Sequence, residues 1–187
     1  MNVEKNALRK LFKEKAVLLE NKNELSEKIA LRLSGLCEYR NCSSVFAYFP
    51  LSWEVSTIPI IESAIRDGKR VALPRCYEKG NEMRFHYFSA FDELENGRFK
   101  GIFEPKKTLE EAVSDESTLC LVPALAFGEN GSRLGKGMGF YDRFLSSFKG
   151  KTAGLCFESC LAVSLPETEL DRRVQLIITE NKTLFIK

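Results

Sequence analysis

The run Thr118-Leu-Cys-Leu-Val-Pro-Ala-Leu125 constrains the fold most, because a strand this apolar has no face to offer to water. Sheets solvated on one side alternate apolar with polar residues, whereas strands covered on both faces are continuously hydrophobic. Ser44–Phe49, Arg70–Arg75, Met83–Phe88, Lys151–Phe157 and Val174–Thr179 are expected as further strands. Leu8, Leu11, Phe12, Leu18 and Leu19 recur at helical spacing, and more helices are expected at Glu24–Leu36, Ile58–Asp67 (stopped by Gly68) and Phe140–Phe148. Strands alternating with helices predict an α/β domain whose largely parallel sheet is covered on both faces. A chain of 187 residues suits one such domain, over 1–187.

Ligands of such sheets gather at the carboxyl ends of the strands. There, expected to follow the buried run directly, stands Gly131-Ser-Arg-Leu-Gly-Lys-Gly-Met-Gly-Phe-Tyr-Asp-Arg-Phe-Leu145. With no Cβ at Gly135, Gly137 and Gly139, the backbone can curve until successive N–H groups face one anion. Arg133, Lys136 and Arg143 add charge-assisted donors. It is not a P-loop, since Gly131 to Gly135-Lys136 is one residue short and Gly137 stands where Ser or Thr would bind magnesium. Nor is it the dinucleotide fingerprint, which has different glycine spacing and opens the first βαβ unit. The segment reads as a phosphate cradle at a helix start; the alternative is a flexible glycine loop with no ligand.

Composition narrows the chemistry. Six cysteines are scattered without a paired spacing and His86 is the lone histidine, which argues against zinc and against Cys–His or Ser–His catalysis. His86 falls in an alternating strand pattern and is expected to be structural or superficial, with Cys120 and Cys156 as small core residues. A net charge of +2 gives no case for nucleic acid. Charged residues stand where a signal peptide would need its apolar segment, so none is expected, and the longest apolar stretch is too short to span a bilayer.

Two further constellations stand out. Lys5, Arg9 and Lys13 lie four apart on the first helix, either as a ridge that gains from a bound phosphate or as a solvated face eased by Glu4 and Glu14. Tyr48-Phe-Pro-Leu-Ser-Trp-Glu54 brings a carboxylate and the sole tryptophan to a strand end. Glu54 could accept hydrogen bonds from an amino-heterocycle stacked on Trp53 or Tyr48, or could complement the dipole of the helix near Ile58.

Jointly the pieces resemble the 5-formyltetrahydrofolate cyclo-ligase (methenyltetrahydrofolate synthetase) family over nearly the whole chain. The resemblance rests on Lys5-x-x-Leu8-Arg9, Tyr48-Phe-Pro with Glu54, Ala72-Leu-Pro74, Met83-x-Phe85, Gly101-Ile-Phe-Glu-Pro105 and Val122-Pro-Ala-Leu-Ala-Phe127. Its most specific part is Arg133-Leu-Gly-x-Gly-x-Gly-Phe-Tyr-Asp142, and it closes with Ile178-Thr-Glu180. It implies a Rossmann-like three-layer α/β sandwich of the NagB/RpiA/CoA-transferase kind. It also implies ATP-dependent cyclisation of 5-formyltetrahydrofolate with Mg²⁺, in a cytoplasmic monomer with no nucleic-acid or membrane partner.

Residue by residue, the resemblance implies ATP contacts at Lys5, Arg9, Arg133, Leu134, Gly135, Lys136, Gly137, Met138, Gly139, Phe140 and Tyr141. Arg133, Lys136 and Tyr141 would serve catalysis, Phe49, Trp53 and Glu54 the folate, and Asp142 the metal. The chain departs from the common pattern at Met138 (often Lys), Phe140 (often Tyr) and Gln175 (often Asp), the metal-linked role of the last being either lost or passed to Asp171. The residues taken alone also fit an ATP-dependent phosphotransferase or ligase on another small heteroaromatic substrate, or a non-catalytic folate or nucleotide binder.

Overall fold

The structure, a computed structural model, describes residues 2–77 and 82–186. Helices α1 (Asn2–Leu18), α2 (Lys22–Ser34) and the single turn α3 (Cys37–Arg40) lead into β1 (Ser44–Phe46). Next come α4 (Ile58–Arg66), β2 (Arg70–Cys76), β3 (Met83–Phe88) and a strap built from β4 (Leu94–Asn96) and β5 (Phe103–Pro105). The chain continues through β6 (Thr118–Val122), β7 (Ala126–Gly128), β8 (Arg133–Leu134) and α5 (Phe140–Leu145). It ends with β9 (Lys151–Leu155), β10 (Leu161–Ala162), β11 (Leu176–Ile178) and β12 (Thr183–Phe185).

Seven strands form the central sheet in the order β12-β11-β9-β6-β1-β2-β3. The inner strands from β11 to β2 are parallel, and each edge is closed by an antiparallel strand. Strand side chains alternate between the two faces. Val45, Leu73, Leu119, Leu121 and Ile178 pack with Ile29 and Leu33 of α2 and Ile60 and Ile61 of α4. Phe46, Ala72, Cys120, Val122 and Ile177 face the other way, onto Phe12 and Ala16 of α1 and Phe144 of α5. The result is the three-layer sandwich expected from the buried run, and every residue of β6 is buried.

The boundaries differ from the sequence expectations for local reasons. β6 stops at Val122 because Pro123 has no N–H for the ladder. α5 stops at Leu145, not Phe148; the Ser146 hydroxyl donates to the Arg143 carbonyl at 2.6 Å and competes with the helical pattern. The glycine-rich segment does not follow β6 directly. A β7–β8 hairpin intervenes and returns the chain to the carboxyl end of β6, where Leu125 N–H donates to the Leu134 carbonyl at 2.9 Å. The hairpin lies on the sheet over Gly154, where a Cβ would come 2.3 Å from the Phe127 ring.

From β1 the chain crosses through α4 to β2 on one side, and β6 later takes the other side of β1. Connections therefore diverge between β1 and β6, and the crevice at their carboxyl ends is the topological switch point, where open α/β sheets bind ligands.

Candidate active site

The loop after β1 delivers Glu54 to this crevice. The Tyr48 hydroxyl donates to the Val55 carbonyl at 3.0 Å, and the Thr57 hydroxyl donates to the Tyr48 carbonyl at 2.5 Å, fixing both ends of the loop. Inside it, Glu54 Oε2 accepts the Leu51 N–H at 3.0 Å. Glu54 is thus turned inward, and the first turn of α4 carries no acidic residue, so the helix-dipole alternative does not apply. Tyr48 is buried with its hydroxyl committed to Val55, which corrects the expectation that its ring is free to stack on a ligand. Phe49 remains half-buried, its ring 5.1 Å from Phe103 of the strap.

The second loop follows β8. Gly137 (φ 92°) and Gly139 (φ 68°) occupy the left-handed region, which accounts for two of the three glycines. The Gly135 carbonyl accepts Arg9 Nε at 2.9 Å, and a Cβ on Gly137 would come 3.2 Å from the Arg9 guanidinium. Arg133 is largely enclosed, and its Nη2 donates to Asp142 Oδ1 at 2.5 Å; the Arg172 N–H donates to the same oxygen at 3.1 Å. Arg133 also lies over the Tyr141 ring, 5.8 Å from its centroid. The Tyr141 hydroxyl is buried without a hydrogen-bond partner among the described residues, and burial pushes its pKa well above the ordinary phenol value. Leu134 is a core side chain, so only its backbone can meet a ligand. Met138 is exposed, and Phe140 packs edge-on to Phe99 of the strap at 6.2 Å.

Lys136 joins the two loops, its Nζ 2.9 Å from Glu54 Oε1 in an ion pair outside hydrogen-bonding geometry. The α1 ridge closes the site from a third side at Lys5 and Arg9, while Lys13 keeps to the exposed face of the helix. Lys5, 8% exposed, pairs with Asp171 at 2.6 Å, and Arg9 reaches the glycine loop. Lys13 Nζ lies 4.5 Å from the centre of the Trp53 ring and Lys136 Nζ 5.8 Å from it. Trp53 therefore carries lysines where the sequence suggested a heterocycle, while its buried Nε1 has no partner among the described residues. A cavity of about 10 Å³, scarcely one water, is lined by Trp53, Glu54, Val55, Leu125 and Cys156.

Sequence reasoning passed over Asp171 except as a spare metal ligand. Burial raises its carboxyl pKa, but the bonds from Lys5 and Thr168 outweigh this and hold it below its ordinary value of 3.8. Thr168 contributes its N–H at 2.6 Å and its hydroxyl at 2.9 Å. Gln175 is tied to the start of β9, its Oε1 accepting the Thr152 N–H at 2.9 Å. His86 is structural, as expected, between the Tyr77 hydroxyl at 2.8 Å and the Leu109 carbonyl at 2.9 Å. Among the described residues no group of three His, Cys, Asp or Glu side chains could hold a metal ion. Asp142 stands as a lone carboxylate, which suits only an ion that keeps most of its ligands from elsewhere, as Mg²⁺ does beside phosphates.

Comparison with known proteins identifies the family. The model of the 5-formyltetrahydrofolate cyclo-ligase family matches residues 1–180. The 5-formyltetrahydrofolate cyclo-ligase of Escherichia coli (strain K12) is 30% identical over 174 residues, spanning 90% of this chain and 94% of that protein. The Mus musculus 5-formyltetrahydrofolate cyclo-ligase is 26% identical over 97% of this chain and 96% of its own length. Among solved structures, the 5,10-methenyltetrahydrofolate synthetase of Aquifex aeolicus superimposes with a TM-score of 0.85 at 32% identity, covering 98% of this chain and 93% of that one. With the family match running almost end to end, the chain belongs to the 5-formyltetrahydrofolate cyclo-ligase family.

Proposed function

We propose that this chain converts 5-formyltetrahydrofolate and ATP into 5,10-methenyltetrahydrofolate, ADP and phosphate. The observation that carries the reading is the meeting of the two loops at the switch point, with Lys136 of the glycine loop 2.9 Å from Glu54. A triphosphate on the glycine loop and a pterin on the Glu54 loop would have their reacting ends side by side, which is most of what phosphoryl transfer asks of a protein.

In this reading the formyl oxygen attacks the γ-phosphorus, the bond to the bridging oxygen breaks and ADP departs. N10 then adds to the formyl carbon, and loss of its proton and of phosphate leaves the methenyl bridge. Arg133 and Lys136 neutralise the moving phosphoryl group, and Arg9 and Lys5 extend the positive surface behind it. The backbone from Leu134 through Met138 to Phe140 supplies N–H donors. Tyr141, kept as a neutral phenol by burial, has a hydroxyl to donate to a phosphate oxygen. Glu54 accepts from the pterin, with Phe49 and Trp53 beside it. Asp142 is the residue that would hold Mg²⁺, and the ion, when bound, would offset phosphate charge. No protein nucleophile is needed, in keeping with cysteines that are mostly buried.

Six free thiols suit a reducing, cytoplasmic setting. Among the described residues no helix is long and apolar enough to cross a membrane.

The test is appearance of the methenyl chromophore when protein, Mg²⁺-ATP and 5-formyltetrahydrofolate are mixed. Folded protein that yields no ATP-dependent product sinks the reading. Arg133→Ala should lower kcat/KM for ATP and Glu54→Ala that for the folate, each by roughly 10- to 150-fold, the worth of one charged hydrogen bond.

A further inference from the structure

Lys136 faces two demands that it cannot meet together. As a phosphate ligand it must point at the nucleotide, yet its ammonium lies 2.9 Å from Glu54 Oε1. The other oxygen of Glu54 already accepts the Leu51 N–H, so Oε1 is the atom through which a ligand would be recognised, and Lys136 covers it. On the function proposed above, we infer that Lys136 is a two-position coupling residue: without nucleotide it closes the folate subsite, and the triphosphate draws it away and opens it.

Local structure permits the movement. Lys136 sits between Gly135 and Gly137, the latter at φ 92°, so the loop can pivot there without disturbing α5. Its side chain is 44% exposed, whereas that of Glu54 is 5% exposed. Lys136 therefore gives up little packing by leaving, and Glu54 is left as a buried carboxylate without its cation, an unfavourable state until a pterin donates hydrogen bonds to it. A triphosphate carries several negative charges against one on Glu54, which sets the direction of transfer once ATP arrives. Each ligand thus removes an obstacle to the other, and linkage makes the effect reciprocal. Lys13, over the Trp53 ring on the fixed surface of α1, stays behind as Lys136 departs.

The experiment measures the Kd of 5-formyltetrahydrofolate with and without a non-hydrolysable ATP analogue and Mg²⁺, in the unaltered chain, Lys136→Gln and Lys136→Arg. The analogue should tighten folate binding by roughly 5- to 150-fold in the unaltered chain. It should do nearly as much in Lys136→Arg and little in Lys136→Gln, which should bind folate more tightly than the unaltered chain when no nucleotide is present. Trp53, the sole tryptophan, is a built-in reporter: the analogue alone should shift its emission, and Lys136→Gln should lose most of that shift. Folate affinity that ignores the nucleotide, or coupling that survives unchanged in Lys136→Gln, overturns the inference and leaves the proposed function standing. No folate binding under any condition removes the function, and the inference with it.

Discussion

The pairing of Lys5 with Asp171 illustrates what single residues disclose. Spacing placed Lys5 on the same face as Arg9 and Lys13, but its partner lies 166 positions away and no local pattern points to it. Charge type was legible at Glu54 and along α1; the commitments of the uncharged groups, such as the Tyr48 hydroxyl spent on Val55, were not. Asp171→Asn would leave the Lys5 ammonium enclosed without its counter-ion. The expected loss at neutral pH is about 2 kcal/mol, below the roughly 3–5 of a fully buried pair because this one keeps some contact with water. The Asp171 pKa lies below 3.8 in the folded chain, so its contribution is complete above that value and fades as pH falls through the lowered one. Melting curves of the two proteins should differ steadily from pH 7 to about pH 4 and converge in stronger acid. Equal Tm values at pH 7 would show that the pair is dispensable.

At the scale of elements, pieces lying within longer patterned runs were readable, β1 and β11 among them, and isolated short strands were not. The apolar run of β6, the alternation in β3 and the spacing in α1 and α4 span enough residues for a period to show. The strands β7, β8 and β10 are two or three residues long, too short for any period, yet they form the hairpin sheet that carries Arg133 to the switch point. Gly154 is the foundation of that hairpin, since Phe127 occupies the space a side chain would need. Gly154→Ala should cost about 1–3 kcal/mol through overpacking. That corresponds to a fall of roughly 2–12 °C in Tm for a chain this long. Because the displaced hairpin carries Arg133, the KM for ATP should rise more than that for the folate. Unchanged thermal stability would mean that the hairpin does not rest on the sheet.

For the whole molecule, burial of the thiols gives a global check on the packing. Of the six cysteines only Cys37 is exposed; Cys42, Cys120, Cys156 and Cys160 are buried, and burial raises the Cys76 pKa to about 12. A thiol reagent at pH 8 should label one cysteine quickly in the native protein, mapped by mass spectrometry to Cys37, and all six after unfolding. Fast labelling of Cys42, Cys120, Cys156 or Cys160 would contradict the two-faced core. By itself the sequence determined the layers and the glycine turns after β8: apolar periodicity decides which face a side chain takes, and a backbone at positive φ, as at Gly137 and Gly139, calls for a residue without Cβ. Only the tertiary structure decided that β6 pairs with β1, that Lys136 rests on Glu54, and that Asp142 and Asp171 hold Arg133 and Lys5. Those choices depend on contacts between distant parts of the chain. A local period states which way a residue points and carries no information about what it will meet there.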